Sequence, residues 1–315
     1  MKEPFRQVEE RIILITEGTK LIIKNIYGST KLKTWDHPEL KVKLTKSILG
    51  EIEENEAEQK LKHIELKEKK GSKEVTMETM IPNFIIRPGL KFTIDLDILA
   101  PPHINLEIDT GLQKLNGSKK EGNIEISYRE NFTTLISNIK GNIDISCGSA
   151  DIEIKNSEGK IIVNSLSGTV QIKNCSGEMY INNESGNNYL DGCSGSITLK
   201  TKSGNVFLKN VESLYLNIKT SSGNIKADIN ILADGTYQLE THSGWIKLKI
   251  PYYSSCHIEF DTICGKIFSE YSFETKENKL KLGEAKGSLI VKSSSGDIYL
   301  IHGFMEEEKD VYLSQ

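Results

Sequence analysis

Apolar and polar residues alternate along most of this chain, and from residue 159 onward glycine punctuates the alternation. Gly159, Gly168, Gly177, Gly186, Gly195 and Gly204 stand nine residues apart. Each opens a short unit such as Gly-Thr-Val-Gln-Ile (168–172) or Gly-Ser-Ile-Thr-Leu (195–199). In the units from Gly159 onward the second residue after Gly is apolar in ten of eleven, failing at Asn188, and the fourth in ten of eleven, failing at Ser269. Residues two apart on a strand share a face, so this pair points inward. The later glycines Gly223, Gly244, Gly265 and Gly287 come at strides of 19, 21, 21 and 22 residues. Inside those strides lie second alternating runs without the opener, 214–218, 236–240 and 257–261. The repeating unit is therefore a turn of 18–22 residues holding two strands.

This pattern predicts an all-β fold, a right-handed parallel β-solenoid (β-helix). Strands would sort into two columns, with successive turns ~4.8 Å apart and about nine turns making a rod on the order of 45 Å. Sorting by position puts Asp297-Ile-Tyr-Leu in the column of Ser196 and Thr236. It puts Ser288-Leu-Ile-Val in that of Asn205 and Trp245, with turns stacked in chain order. Glycine at each corner permits a positive φ, and the Ser or Asn beside it bonds the turn backbone.

Before the repeats the language is strand and turn. Ile13-Ile15, Leu21-Ile23 and Leu40-Val42-Leu44 alternate between breaks at Gly18, Gly28 and 36–38. Residues 51–70 are rich in Glu and Lys, with Ala57, Leu61 and Ile64 at helical spacing, which predicts a short helix near 52–63 and then a charged strand. Prolines at 82, 88, 101 and 102 flank the clean alternation of 92–98. The expected organisation is an N-terminal β-rich capping region over 1–102, a solenoid over 103–303 and a charged tail over 304–315. The acidic run 305–310 would discourage edge-to-edge docking at its end.

Composition narrows the function classes. Only 7% of residues are aromatic, and a net charge of -4 over 315 residues generates no global field toward nucleic acid or anionic lipid. The N-terminal apolar run is too short for a signal core, and no segment reaches the ~18 apolar residues of a spanning helix. The expected location is the cytoplasm, with surface or envelope association as the alternative. Five cysteines are an odd number and suit reduced thiols.

The chemistry-bearing motifs are few. The corners lack the paired glycines and Asp of calcium-binding β-rolls. No His-Glu-x-x-His or Gly-x-Ser-x-Gly spacing occurs. Cys175 and Cys193 share a phase 18 residues apart, and a ladder of small apolar thiols is favoured over a metal or redox pair. No catalytic residue, metal site or cofactor is expected. Glu153, Asp191 and Asp228 are separated by Lys or neutral residues. One outward surface carries more. On the second column the third position reads Gln171, Tyr189, Phe207, Lys226, Lys247, and the first reads Thr169, Asn187, Asn205, Asn224, Trp245. Tyr189, Phe207 and Trp245 beside amides and lysines suit a sugar ring or a protein partner, or a sheet-stabilising aromatic ladder. The sequence leaves the partner, protein or glycan, and the oligomeric state open, and it indicates neither nucleic acid nor an integral membrane segment.

The run of Ser-Gly-x-Ile/Val-x-Leu/Ile units follows Tyr27-Gly-Ser-Thr-Lys-Leu-Lys-Thr-Trp-Asp36 and Phe92-Thr-Ile-Asp-Leu-Asp-Ile-Leu-Ala-Pro101-Pro102. Together they resemble the bacterial putative-adhesin family, β-solenoid domains of unknown function, over roughly residues 8–302. In that family a Gly-Ser-Ile strand ending in a Gly-Trp-Asp-like turn, a Glu-rich helical stretch and an apolar strand ending in Pro precede the repeats; each has a counterpart here. The resemblance implies a non-enzymatic, adhesin-like binding or interaction protein. Members also occur in Gram-positive envelope-stress systems, which implies as an alternative a cytoplasmic or membrane-associated scaffold or regulator. A carbohydrate-active β-helix enzyme, the remaining reading, requires a cleft with grouped carboxylates.

Overall fold

The computed structural model describes residues 3–303 apart from 17–18, 26, 102–104, 111–114, 122–123, 129–131 and 272–277, and for most of 102–133 it describes backbone alone. The charged tail expected over 304–315 lies outside the described residues. Two compact units divide the chain, Met1–Ser165 and Leu166–Gln315. The fold is all-β. The single α-helix among the described residues, Glu54–Lys62, carries Glu54 and Glu56 in its first turn and Lys60 and Lys62 in its last, complementing its dipole, and it buries Ala57 and Leu61.

In the second unit, strands about one turn apart in sequence lie side by side and parallel. Gly177 is in register with Gly195, Asn188 with Val206, Val206 with Ile225, and Ile225 with Ile246. The offsets are those of a two-strand turn, because the alternation that hides one face is repeated at that spacing. Val206, Leu208, Ile225, Ile246 and Leu248 are all buried. At full burial each such side chain contributes about 1.5–3 kcal/mol.

The order of the last turns departs from the chain. Ile298–His302 pairs with Ile246–Ile250 on one side and with Ile267–Ser269 on the other. Gly287–Ser293 likewise lies between the strand carrying Thr236 and Cys256–Thr262. The final turn is thus inserted between two earlier ones. The column assignments of 288–291 and 297–300 are therefore the reverse of those expected. Lys279–Leu282 does not join a column; it pairs antiparallel with Cys256–Thr262 and closes its outer edge. The physical reason is that parallel pairing uses backbone groups common to every turn, so register does not record chain order.

The first unit uses the same device. Lys20–Asn25 pairs in parallel with Glu74–Met80 and with Asn105–Thr110, and Thr30–Thr34 with Lys91–Ala100 and Leu115–Glu121. A later segment again lies outside an earlier one. Antiparallel strands finish both edges: Glu65–Lys70 against Glu74–Met80, and Glu39–Leu49 against Lys91–Ala100 with Phe5–Leu14 outside it.

Candidate functional site

The corners that hold the second unit's outward strands are built from glycine and one inward polar residue. A Cβ on Gly186 would overlap the carbonyl of Gly168; the same holds for Gly204 on Gly186, Gly223 on Gly204, Gly244 on Gly223, Gly296 on Gly244 and Gly265 on Gly296. Backbone stacking, more than φ, demands glycine here, since Gly223, Gly265 and Gly296 lie outside the left-handed region. Three residues ahead of these glycines sit Asn183, Thr201, Thr220, Thr241, Ser293 and Thr262. Thr241 Oγ1 donates to the Gly223 carbonyl at 2.9 Å and Ser293 Oγ to that of Gly244 at 2.9 Å. Asn188, the exception to the apolar pattern, is fully buried. Its Oδ1 accepts from Asn183 Nδ2 at 3.1 Å, and that Nδ2 also donates to the Gly168 carbonyl at 3.0 Å. An inward amide is tolerated because its partner supplies the bond that burial removes from water.

From these corners the strands present two outward rows. The Asn row is partly structural: the backbone N–H of Asn205 donates to Asn187 Oδ1 at 3.1 Å, that of Asn224 to Asn205 Oδ1 at 2.9 Å and that of Trp245 to Asn224 Oδ1 at 3.0 Å. Each side chain thereby spends its Oδ1 on the next strand. Trp245 belongs to this row and is 36% exposed. Lys266 N donates to Asp297 Oδ1 at 2.8 Å in the same manner.

The second row runs Gln171, Tyr189, Phe207, Lys226, Lys247, Tyr299, Phe268 across adjacent strands in register. Tyr189 and Phe207 stack with centroids 4.7 Å apart and planes at 7°; Tyr299 and Phe268 stack at 5.0 Å and 9°. The eight residues singled out from sequence thus lie on one face, but Trp245 stands apart from the Tyr189–Phe207 stack. Tyr299 and Phe268 escape the sequence reading, which ends the row at Lys247 and assigns Tyr299 to the other column. The nine-residue stride from Gly287 to Gly296 matches that from Gly195 to Gly204 and carries the right assignment. Tyr299 Oη donates to Asp297 Oδ2 at 3.2 Å. Desolvation, and after it that carboxylate, hold its hydroxyl above the ordinary tyrosine value.

Other chemistry-bearing groups are occupied. Cys175 and Cys193 are buried free thiols in equivalent corners, each just ahead of one of the adjacent strands Ser176–Ser185 and Ser194–Ser203; burial pushes the Cys193 thiol up to about 12. A thiol so held carries little thiolate at neutral pH. Among the described residues no three His, Cys, Asp or Glu side chains are grouped to hold a metal ion. A cleft of ≈ 340 Å³ in the first unit is lined in part by Arg6, Lys31, Lys91, Asp95 and Asp97. Asp95 Oδ1 accepts from both the N–H and the hydroxyl of Ser29, and Asp97 is paired with Lys31 at 3.8 Å. Neither carboxylate is disposed as a matched acid and base.

These features define a repeat-built all-β protein with an outward row of paired aromatic rings and lysines. Residues 102–301 match the Toastrack DUF4097 family, and the chain belongs to it. The solved structures it is similar to include a putative cell adhesion protein from Clostridium sporogenes, at 14% identity over 96% of this chain and 100% of that one with a TM-score of 0.23. A putative adhesin from Parabacteroides merdae is 12% identical over 94% and 96%, TM-score 0.40. A putative lipid binding protein from Parabacteroides distasonis is 15% identical over 93% and 96%, TM-score 0.31. No curated protein matches the chain. No helix among the described residues is long and apolar enough to cross a membrane.

Proposed function

We propose that this protein is a non-enzymatic binding or interaction module, adhesin-like, that recognises another macromolecule through the outward face of its second unit. The supporting observation is the row of two stacked aromatic pairs with Lys226 and Lys247 between them, beside Trp245 and the outward row of Asn187, Asn205 and Asn224. Outward aromatic planes beside polar side chains give affinity at low entropic cost. In this reading residues 103–303 form a right-handed parallel β-solenoid of about two strands per 18–22-residue turn, residues 1–102 cap it, and 304–315 is a tail. Rigid strands, not loops, then carry the site.

Glycan-array and pull-down binding by the wild-type chain is the test. Replacing Tyr189, Phe207 and Trp245 together by Ala should abolish capture while leaving the melting transition cooperative. Capture that survives the triple replacement sinks the site.

A further inference from the structure

The first unit presents a free sheet edge, and we infer that this edge pairs with the same edge of a second copy of the chain. Phe5–Leu14 joins the sheet only through Glu39–Leu49 among the described residues. Its other side leaves alternate backbone N–H and C=O groups with no strand to meet them, and such an edge is a template for a further strand. The edge strand Glu65–Lys70 is blunted, since five of its six residues are charged. Phe5–Leu14 is finished differently. Its inner row is anchored, with Glu9 held by Lys46 and Arg11 and the Arg11 guanidinium donating to the Leu66 carbonyl at 2.8 Å. Its outer row reads Arg6, Val8, Glu10, Ile12, Leu14, in which Val8, Ile12 and Leu14 are 52%, 64% and 73% exposed. Aliphatic side chains so exposed along an open edge mark an interaction surface.

The charges on the strand select both the partner and the register. A twofold axis normal to the sheet makes two copies antiparallel and sets each residue opposite its reflection about the central one. Centred on Val8, the pairing runs from Phe5 opposite Arg11 to Arg11 opposite Phe5. Arg6 then faces Glu10 of the second copy, Glu10 faces its Arg6, Val8 meets Val8, and Gln7 faces Glu9. The other centres that pair at least as many residues put like charges on the axis: Glu9 on Glu9, Glu10 on Glu10 or Arg11 on Arg11. Like charges directly opposite destabilise a sheet and opposite ones stabilise it, so the register centred on Val8 is selected. Both partners have capacity for the contact. Arg6 makes no ion pair among the described residues, and Lys41 holds Glu10 through Oε2 at 3.0 Å, which leaves Oε1 to accept from a guanidinium. Exposed pairs of this kind set register more than affinity. Closing the backbone edge and covering Val8, with Ile12 laid against Pro4, supply the attraction. The contact is isologous and consumes both edges, so it stops at two chains and does not grow into a fibre.

Sedimentation equilibrium of the full chain should show a monomer–dimer equilibrium. Arg6→Glu sets two like-charge contacts about the axis and should weaken dimerisation about tenfold, as should Glu10→Arg. Combining the two substitutions restores opposite charges and should recover most of the loss. Val8→Lys puts like charges on the axis itself and should abolish the dimer. In a Cys264→Ser background, which removes the exposed native thiol, Val8→Cys should cross-link two chains under copper–phenanthroline oxidation and Glu10→Cys should not. Circular dichroism melting confirms that these outer-row variants stay folded. A chain that is monomeric at every concentration overturns the inference, and slow hydrogen exchange along Phe5–Leu14 in that monomer would assign the edge to a segment of the same chain. A dimer indifferent to Val8→Lys overturns it as well. Cross-linking through Glu10→Cys in place of Val8→Cys, or a charge swap without rescue, overturns the register and with it the reason for a second copy.

Discussion

The two outward faces of the second unit grow from one interior and one set of corners, yet they finish differently. On the strands through Lys219, Glu240, Lys292 and Asp261 two ion pairs join neighbouring strands, Lys219 with Glu240 and Lys292 with Asp261. On the strands through Phe207, Lys226, Lys247, Tyr299 and Phe268, rings stack in pairs and like charges stand in register. The inward pattern is indifferent to this choice, because alternate residues face opposite ways. A repeat can therefore keep one face closed and leave the other open for recognition without altering its core.

The most damaging way to break the comparison is at the shared corner. Gly204→Ala drives a Cβ into the Gly186 carbonyl, which is backbone and cannot turn aside. It should cost about 3 kcal/mol or more, read by chemical denaturation. Alkali tests the shared interior next. Burial raises the Cys193 and Cys256 thiols from 9.0 to about 12. Their neutral forms contribute stability that is fully present below pH 9, the unfolded value, and is lost as pH rises from 9 through 12. Each thiol should give a slope of about 1.4 kcal/mol per pH unit in that window. Denaturation midpoints across that range should fall, and Cys193→Ala should flatten the decline.

Smaller effects separate corner from face. Asn183→Ala strands the Asn188 carbonyl oxygen and should cost about 2 kcal/mol. Thr at that position, the residue at 201, 220 and 241, should recover part of it by thermal melting. A double-mutant cycle on Lys219 and Glu240 should return ~0.2–1 kcal/mol and leave ligand binding untouched. On the open face Lys247→Gln should instead leave stability within about 0.5 kcal/mol of wild type while weakening capture by that face. A binding loss without a stability loss would mark the open face as functional; a stability loss there would erase the contrast with the closed one.

Much of this was legible in the residues. Glycine spacing and the paired apolar positions specify a two-strand turn of 18–22 residues, and the same alternation names Tyr189, Phe207, Lys226 and Lys247 as outward neighbours, because side-chain period and turn length are local properties of the chain. The burial of Asn188 was not legible as a corner device, since its partner Asn183 acquires that role only when Gly168 is stacked beneath Gly186.

What tertiary structure alone decided is the order of turns. Residues 287–302 lie between 236–250 and 256–269, and Lys20–Thr34 lies between Glu74–Ala100 and Asn105–Glu121. Every strand offers the same backbone donors and acceptors at its edge, so hydrogen bonding cannot tell one turn from another. The selection among turns is made by the assembled fold, in which 287–302 takes its place between two earlier turns. That selection brings Tyr299 onto Phe268 and beside Lys247, completing a row whose two halves are far apart in sequence.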